Sequence, residues 1–158
     1  MLSISITSIK TLETQIKEFD KAIAAQMELL SNVLISIPGI GPVFSAGIIA
    51  EIGDINRFEN HAQLAKYAGL AWTQYQSGNF EAENTRLIKS GNRFLKYYLC
   101  KAAFSLVRCD KEYKDFYHLK YKEVNRYQHK RALALTASKF VRLVFALLKA
   151  NRLYRSAE

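Results

Sequence analysis

The sequence predicts a mainly all-α protein: an N-terminal coiled-coil-like helix, then a helical domain containing a helix-hairpin-helix and one irregular functional loop. Three observations lead there. Apolar residues recur at helical spacing over residues 6–30 and again over 130–152. Prolines number only two, Pro38 and Pro42, and stand together. Asn60, Asn92 and Asp110 each stand where a helical pattern opens. A chain of 158 residues, 49% apolar and 23% charged, fits one domain with a helical extension and buries a core, which excludes disorder and a second large catalytic domain.

The first helix follows from Ile6, Ile9, Leu12, Ile16, Phe19, Ile23, Met27 and Leu30, whose steps of three and four keep one narrow seam. Lys10, Glu13, Lys17, Glu18, Asp20, Lys21 and Glu28 occupy the other faces. So narrow a stripe needs a partner, either the rest of the domain or a second chain. Residues 1–31 are therefore read as a dimerisation helix and 32–158 as the helical domain.

Leu29 to Ala50 is a run of 22 uncharged residues, long enough to span a membrane, but Pro38, Gly39, Gly41 and Pro42 interrupt its centre. Two half-helices and a turn are expected, a helix-hairpin-helix over about 30–53. Gly39 and Gly41 permit a tight turn with positive φ, and Pro42 suits a first helical turn. The amides of Gly39, Ile40 and Gly41, with the positive end of the next helix, could cradle a phosphate without reading a base; a purely structural turn is the alternative. Ser45, Ala46 and Gly47 allow close helix packing.

Asn60 opens a short helix through Ala68, which Gly69 ends. From Leu70 to Ser90 helical periodicity is lost and Ser77-Gly78-Asn79 signals a turn. A long irregular segment inside a helical chain is commonly functional. Helices are expected from Asn92 to about Arg108, from Asp110 to about Asn125 and over residues 130–152, the basic helices of 92–154.

Charge divides the chain. Residues 1–80 hold five basic and seven acidic side chains and residues 81–158 hold eighteen and seven, so the halves carry −2 and +11. Such a field selects a polyanion. Lys and Arg interleave with Tyr between Arg93 and Arg131, a pattern that suits phosphate contact and base stacking, or a solvated face. Cys100 and Cys109 are read as buried thiols. Asp115, His118 and His129 lack the companions of a metal site, and no metal is expected in this chain. Nothing at the N-terminus resembles an export signal, so the cytoplasm is expected.

The blocks Ile37-Pro38-Gly39-Ile40-Gly41-Pro42, Glu51-Ile52-Gly53-Asp54-Ile55 with Arg57-Phe58, Leu64-Ala65, Tyr67-Ala68-Gly69-Leu70, Gln76-Ser77-Gly78, Ile88 through Lys96 and Lys101-Ala102-Ala103 follow one another in a family-like order. Together they resemble the C-terminal domain of bacterial insertion-sequence transposases of the Piv-type, RNA-bridged recombinase group. The likeness runs from about Ser31 to Tyr154, and the preceding helix resembles that family's coiled coil.

The resemblance implies a serine nucleophile at Ser77, whose hydroxyl attacks a scissile phosphate and holds a DNA end as a phosphoserine ester. It also implies DNA as substrate, a guide or bridge RNA, a homo-oligomer through the N-terminal helix and a nucleoid-associated location. A RuvC-like nuclease domain, with an acidic tetrad and a divalent metal such as Mg, is missing here, and the chain alone is expected to be inactive. No general base accompanies Ser77, and serine needs one or a metal to react. Glu81 and Glu83 make the following loop acidic; Arg86, Lys89, Arg93 and Lys96 are the candidates for phosphate contact beyond it. A non-catalytic helix-hairpin-helix module for DNA or RNA is the alternative, and a coiled-coil assembly protein with an incidental basic surface is a third reading.

Overall fold

The computed structural model describes residues 2–28, 32–72, 76–77, 80–81 and 87–155, with backbone alone for 76–77 and 80–81. It is mainly α-helical. The described helices are α1 (Leu2–Glu28), α2 (Pro42–Ile52), α3 (His61–Tyr67), α4 (Arg93–Cys109), α5 (Lys111–Lys122) and α6 (Gln128–Ala150), with short 3-10 turns at Val33–Ser36 and Ile55–Arg57.

Side-chain caps fix where most of these elements begin. Asn60 Oδ1 accepts from Gln63 N at 3.0 Å, Asn92 Oδ1 from Phe94 N and Leu95 N, and Asp110 Oδ1 from Tyr113 N at 3.1 Å. Asn151 ends α6 with φ of 47°, and Gly69 stops α3 with φ of 70°.

α6 is the centre of the molecule. Its Ala132, Ala137, Phe140, Val141 and Val144 are fully buried, and α3, α4, α5 and both 3-10 turns pack on it. α4 gives Leu95, Leu99, Ala102, Ala103 and Leu106 to the same core, and α2 lies on the other side of α4. The alanines let helix axes come close while the larger side chains fill the layers between. Gly47 shows how close α2 comes: a Cβ there would stand 2.5 Å from the Tyr98 ring. Gly47 thus serves the contact with α4, while Ser45 meets the first limb as expected, its Oγ donating to Asn32 Oδ1 at 2.7 Å.

α1 leaves this core. It touches α2 near its C-terminal end, where Met27 is buried and Ile23 and Ala24 are half-buried, while every residue from Leu2 to Ala22 is exposed. Ile9, Leu12, Ile16 and Phe19 stay between 55% and 69% exposed. The seam is not covered by the rest of the described chain.

The expected irregular loop is partly regular. Trp72 bridges Leu87 in antiparallel fashion, Ile88 N donates to Ala71 O at 3.0 Å, and strands β1 (Gln76–Ser77) and β2 (Phe80–Glu81) pair further out. Among the described residues of this stretch, loss of the helical period goes with antiparallel pairing. That pairing is non-local, which a scan for helical period does not detect.

Among the described residues no helix is long and apolar enough to cross a membrane. The uncharged run is broken at Pro38, as expected, although the described part of its first limb, from Asn32, holds a 3-10 turn and not a half-helix. Asn32 caps that turn by accepting from Leu34 N, and Ile37, preceding a proline, is extended with ψ of 126°.

Candidate nucleic-acid interface

The candidate residues fall in three places along α4. At its C-terminal end sits the Ile37–Gly41 turn. Gly39 has φ of 82° and its carbonyl accepts from Ser105 Oγ at 2.7 Å. A Cβ on Gly39 would lie 2.8 Å from Cys109 Sγ, so this glycine is required both by its backbone angle and by the approach of α4. Gly41 is different. Its φ is −84° and not the positive value expected, and a Cβ there would meet nothing within 4 Å. Ile40 is buried and its N–H donates to Ile37 O at 3.0 Å, so that amide is spent inside the turn. Any outward amide cradle narrows to Gly39 and Gly41, with Pro42 leading α2 behind them.

At the N-terminal end of α4 lies the root of the hairpin. Gly69 and Gly91 pass so close that a Cβ on Gly91 would stand 2.5 Å from Gly69 N. Asn92 N donates to Tyr67 O at 2.7 Å, and Lys96 Nζ donates to Gly69 O at 3.0 Å. These bonds fasten both arms of the excursion to α3 and α4. Lys96 is accordingly half-buried and occupied in holding the root, whereas Lys89 and Arg93 are exposed.

A polar cluster backs the root, and sequence reasoning did not assemble it. Asn92 Nδ2 donates to Glu51 Oε2 at 2.8 Å and to the Tyr67 hydroxyl at 3.2 Å. The Arg57 guanidinium covers the Tyr67 ring at 4.5 Å and the Phe58 ring at 4.7 Å. Hydrogen bonding from Asn92, then from Arg57, holds the Tyr67 phenol below its ordinary pKa. Tyr67, Asn92, Ser90 and Lys66 line an open depression of about 660 Å³. Glu51, Arg57, Tyr67 and Asn92 were all within the quoted blocks, but their separation in sequence hid their contact.

Further out, the register pairs Gln76 with Glu81 and Ser77 with Phe80. Ser77 is thus the last described residue of its strand. The Ser77 side chain and Arg86 lie outside the described residues. Near the hairpin's base, Trp72 and Leu87 share a depression with Tyr127, Lys130 and Arg131 from the segment leading into α6.

Between the two ends runs the exposed face of α4: Arg93, Tyr97, Lys101, Phe104 and Arg108. Arg93 lies 4.7 Å from the Phe94 ring, Lys101 5.7 Å from Tyr97 and Arg108 4.5 Å from Phe104. Tyr97 remains 55% exposed and Phe104 39%. These belong to the basic and aromatic interleaving legible in the sequence, but only the helix axis sorts them onto one face.

The remaining side chains carry less. Cys100 is half-buried, which raises its thiol pKa, whereas Cys109 is exposed at the helix end and not buried as expected. His118 and His129 are exposed, and His129 Nδ1 pairs with the Tyr117 hydroxyl at 2.7 Å. Among the described residues no three His, Cys, Asp or Glu side chains come together to hold a metal ion.

Comparison with known proteins places this geometry in context. Residues 31–118 match the family described as Transposase IS116/IS110/IS902. The chain is 30% identical to an uncharacterised protein of insertion element IS110 from Streptomyces coelicolor, over 98% of this chain and 39% of that protein. It is 34% identical to the transposase for insertion sequence element IS1111A of Coxiella burnetii, over 85% and 37% respectively. A probable family 20 transposase of Pseudomonas aeruginosa is 26% identical over 93% of this chain and 44% of its own length. The chain spans about two-fifths of the length of these relatives.

Proposed function

The chain belongs to the IS116/IS110/IS902 family of insertion-sequence transposases, and we propose that it acts as the part of such an enzyme that binds DNA and presents a serine, Ser77, to the scissile phosphate. One observation carries the reading. A two-stranded hairpin carrying Ser77 rises from a root fastened to the helical core by Asn92, Lys96 and the Gly69–Gly91 contact. A fastened root favours a defined position for a nucleophile, and small misplacements of reacting atoms cost orders of magnitude in rate.

In the proposed step the serine oxygen forms a bond to phosphorus as the bond from phosphorus to a sugar oxygen breaks. The serine proton goes to a base, and the departing sugar oxygen takes up a proton to leave as a hydroxyl. The phosphoserine ester keeps the energy of the broken bond, so a hydroxyl from another strand can reverse the step and free the serine. Serine needs a base or a metal to react, and in this reading a nuclease domain docked on the hairpin supplies that activation. Metal chemistry, with Mg as the candidate ion, belongs to that domain in this reading, and no step above passes through it.

DNA is held by charge. The +11 half of the chain, Lys89 and Arg93 near the hairpin, and the Gly39–Gly41 turn supply contacts that position phosphates without reading bases. The bare seam of α1 is assigned to a second copy of the chain. A binding module without chemistry is the second reading, favoured by the exposed basic face of α4.

The test is substitution in a complete transposase containing this chain. Ser77→Ala is expected to abolish strand exchange while DNA affinity and thermal midpoint stay as in the parent. Strand exchange by the Ser77→Ala protein would leave the binding module as the function.

A further inference from the structure

Resting on the reading that this domain binds nucleic acid, we propose that the exposed face of α4 is a track for a single, unpaired DNA strand, with bases stacked on Tyr97 and Phe104 and phosphates paired with Arg93, Lys101 and Arg108. The geometry behind this is one-sided. Leu95, Leu99, Ala102, Ala103 and Leu106 turn into the core, which commits the opposite face, with its four-, four-, three- and four-residue steps, to the surface. Steps of four residues advance about 6 Å along a helix. Aromatic and cationic groups therefore alternate along roughly 20 Å of surface, a few nucleotides of extended strand.

The rings decide the occupant. A surface meant only for the backbone of a duplex needs cations and gains nothing from exposed rings, because duplex bases present their faces to one another. An unpaired strand offers those faces, and stacking on an aromatic ring is indifferent to sequence. Tyr97 and Phe104 are both exposed, and they carry cations at 5.7 and 4.5 Å that can also meet a phosphate. Phe104 also meets the His129 ring, at 6.0 Å and nearly perpendicular. Arg93, Tyr97, Lys101, Phe104 and His129 border a groove of about 440 Å³ that no carboxylate lines. Among the described residues Arg93, Lys101 and Arg108 make no salt bridge, unlike Lys120, Arg131 and Lys139.

The track has two meaningful ends. Arg93 begins beside the root of the serine hairpin, and Arg108 precedes Cys109, which touches the Gly39 turn. A strand lying on α4 would join the two places where the candidate residues gather and keep a nicked or unpaired end near Ser77.

Fluorescence anisotropy with the full chain tests this, using an oligothymidylate DNA, its RNA counterpart and a duplex of equal length. The parent chain is expected to bind both the single DNA strand and the duplex. Tyr97→Ala/Phe104→Ala should weaken the DNA single strand at least about tenfold while changing duplex affinity less than about twofold. Tyr97→Phe should bind as the parent, and an unchanged circular dichroism spectrum guards against misfolding. Equal losses on strand and duplex, or no loss on the strand, would overturn the track. Duplex binding without strand binding by the parent would remove this inference alone; binding to neither would remove the reading it rests on. A loss confined to the RNA strand would make the occupant RNA and the proposal wrong.

Discussion

Gly39 and Gly41 look interchangeable in the sequence but have opposite tolerances. Gly39 cannot accept a side chain without strain and collision with α4, whereas Gly41 faces open space in an ordinary backbone conformation. Gly41→Asp is therefore expected to leave stability unchanged or raised by about 1 kcal/mol, since Asp is a good N-cap for α2. The same carboxylate would repel a phosphate, so duplex affinity should fall severalfold. Thermal melting and anisotropy on one variant separate the two effects, and unchanged affinity would show that the turn is structural.

Gly91→Ala should behave in the opposite way, costing more than about 2 kcal/mol because of its φ of 130° and its approach to Gly69. Tyr154 gives a pH signature. Burial, then its 2.7 Å bond to Asp110 Oδ2, push its pKa up to about 12. The unfolded chain releases this proton near pH 10 and the folded chain holds it, so stability is full below about 10 and falls as pH rises toward 12. Melting temperatures between pH 9 and 12 should decline less steeply in Tyr154→Phe; identical slopes would dismiss Tyr154 as a source of the pH dependence.

At the scale of elements, the helices of the domain were legible because their signals are local. Asn60, Asn92 and Asp110 cap where they stand in the sequence, and the apolar period of residues 130–152 marks the helix that becomes the core. The hairpin was not legible, because its pairing joins Trp72 to Leu87 and its root depends on Gly69 meeting Gly91. The candidate site was legible as a set of residues but not as an arrangement: Lys96 reads as a phosphate contact, and only the fold shows that its ammonium also donates to Gly69 O.

The first helix was legible as a seam, and its structure leaves that seam in water. Ile9→Lys/Ile16→Lys changes side chains that are 55% and 58% exposed, so it should spare the monomer's melting temperature. Sedimentation is expected to show the parent chain as a dimer at tens of micromolar and the variant as a monomer. A monomeric parent would leave the seam to a different partner.

For the molecule as a whole, charge and architecture agree. The −2 half builds α1, the turn and α3, while the +11 half builds the hairpin's far arm and the helices on which the candidate contacts lie. Duplex affinity should fall by about a hundredfold or more between about 50 and 200 mM salt and show little sequence preference. A flat salt response would exclude counterion release as the source of binding.

In the proposed step Ser77 supplies the oxygen that bonds to phosphorus, a role open to direct test. It is tested most directly by trapping a complete transposase on its DNA under denaturing conditions, digesting it, and mapping the nucleotide-bearing peptide by mass spectrometry. The expected result is a phosphodiester link on Ser77 and no adduct with the isolated 158-residue chain. A link mapped to any other residue, or an adduct that persists in Ser77→Ala, would contradict it.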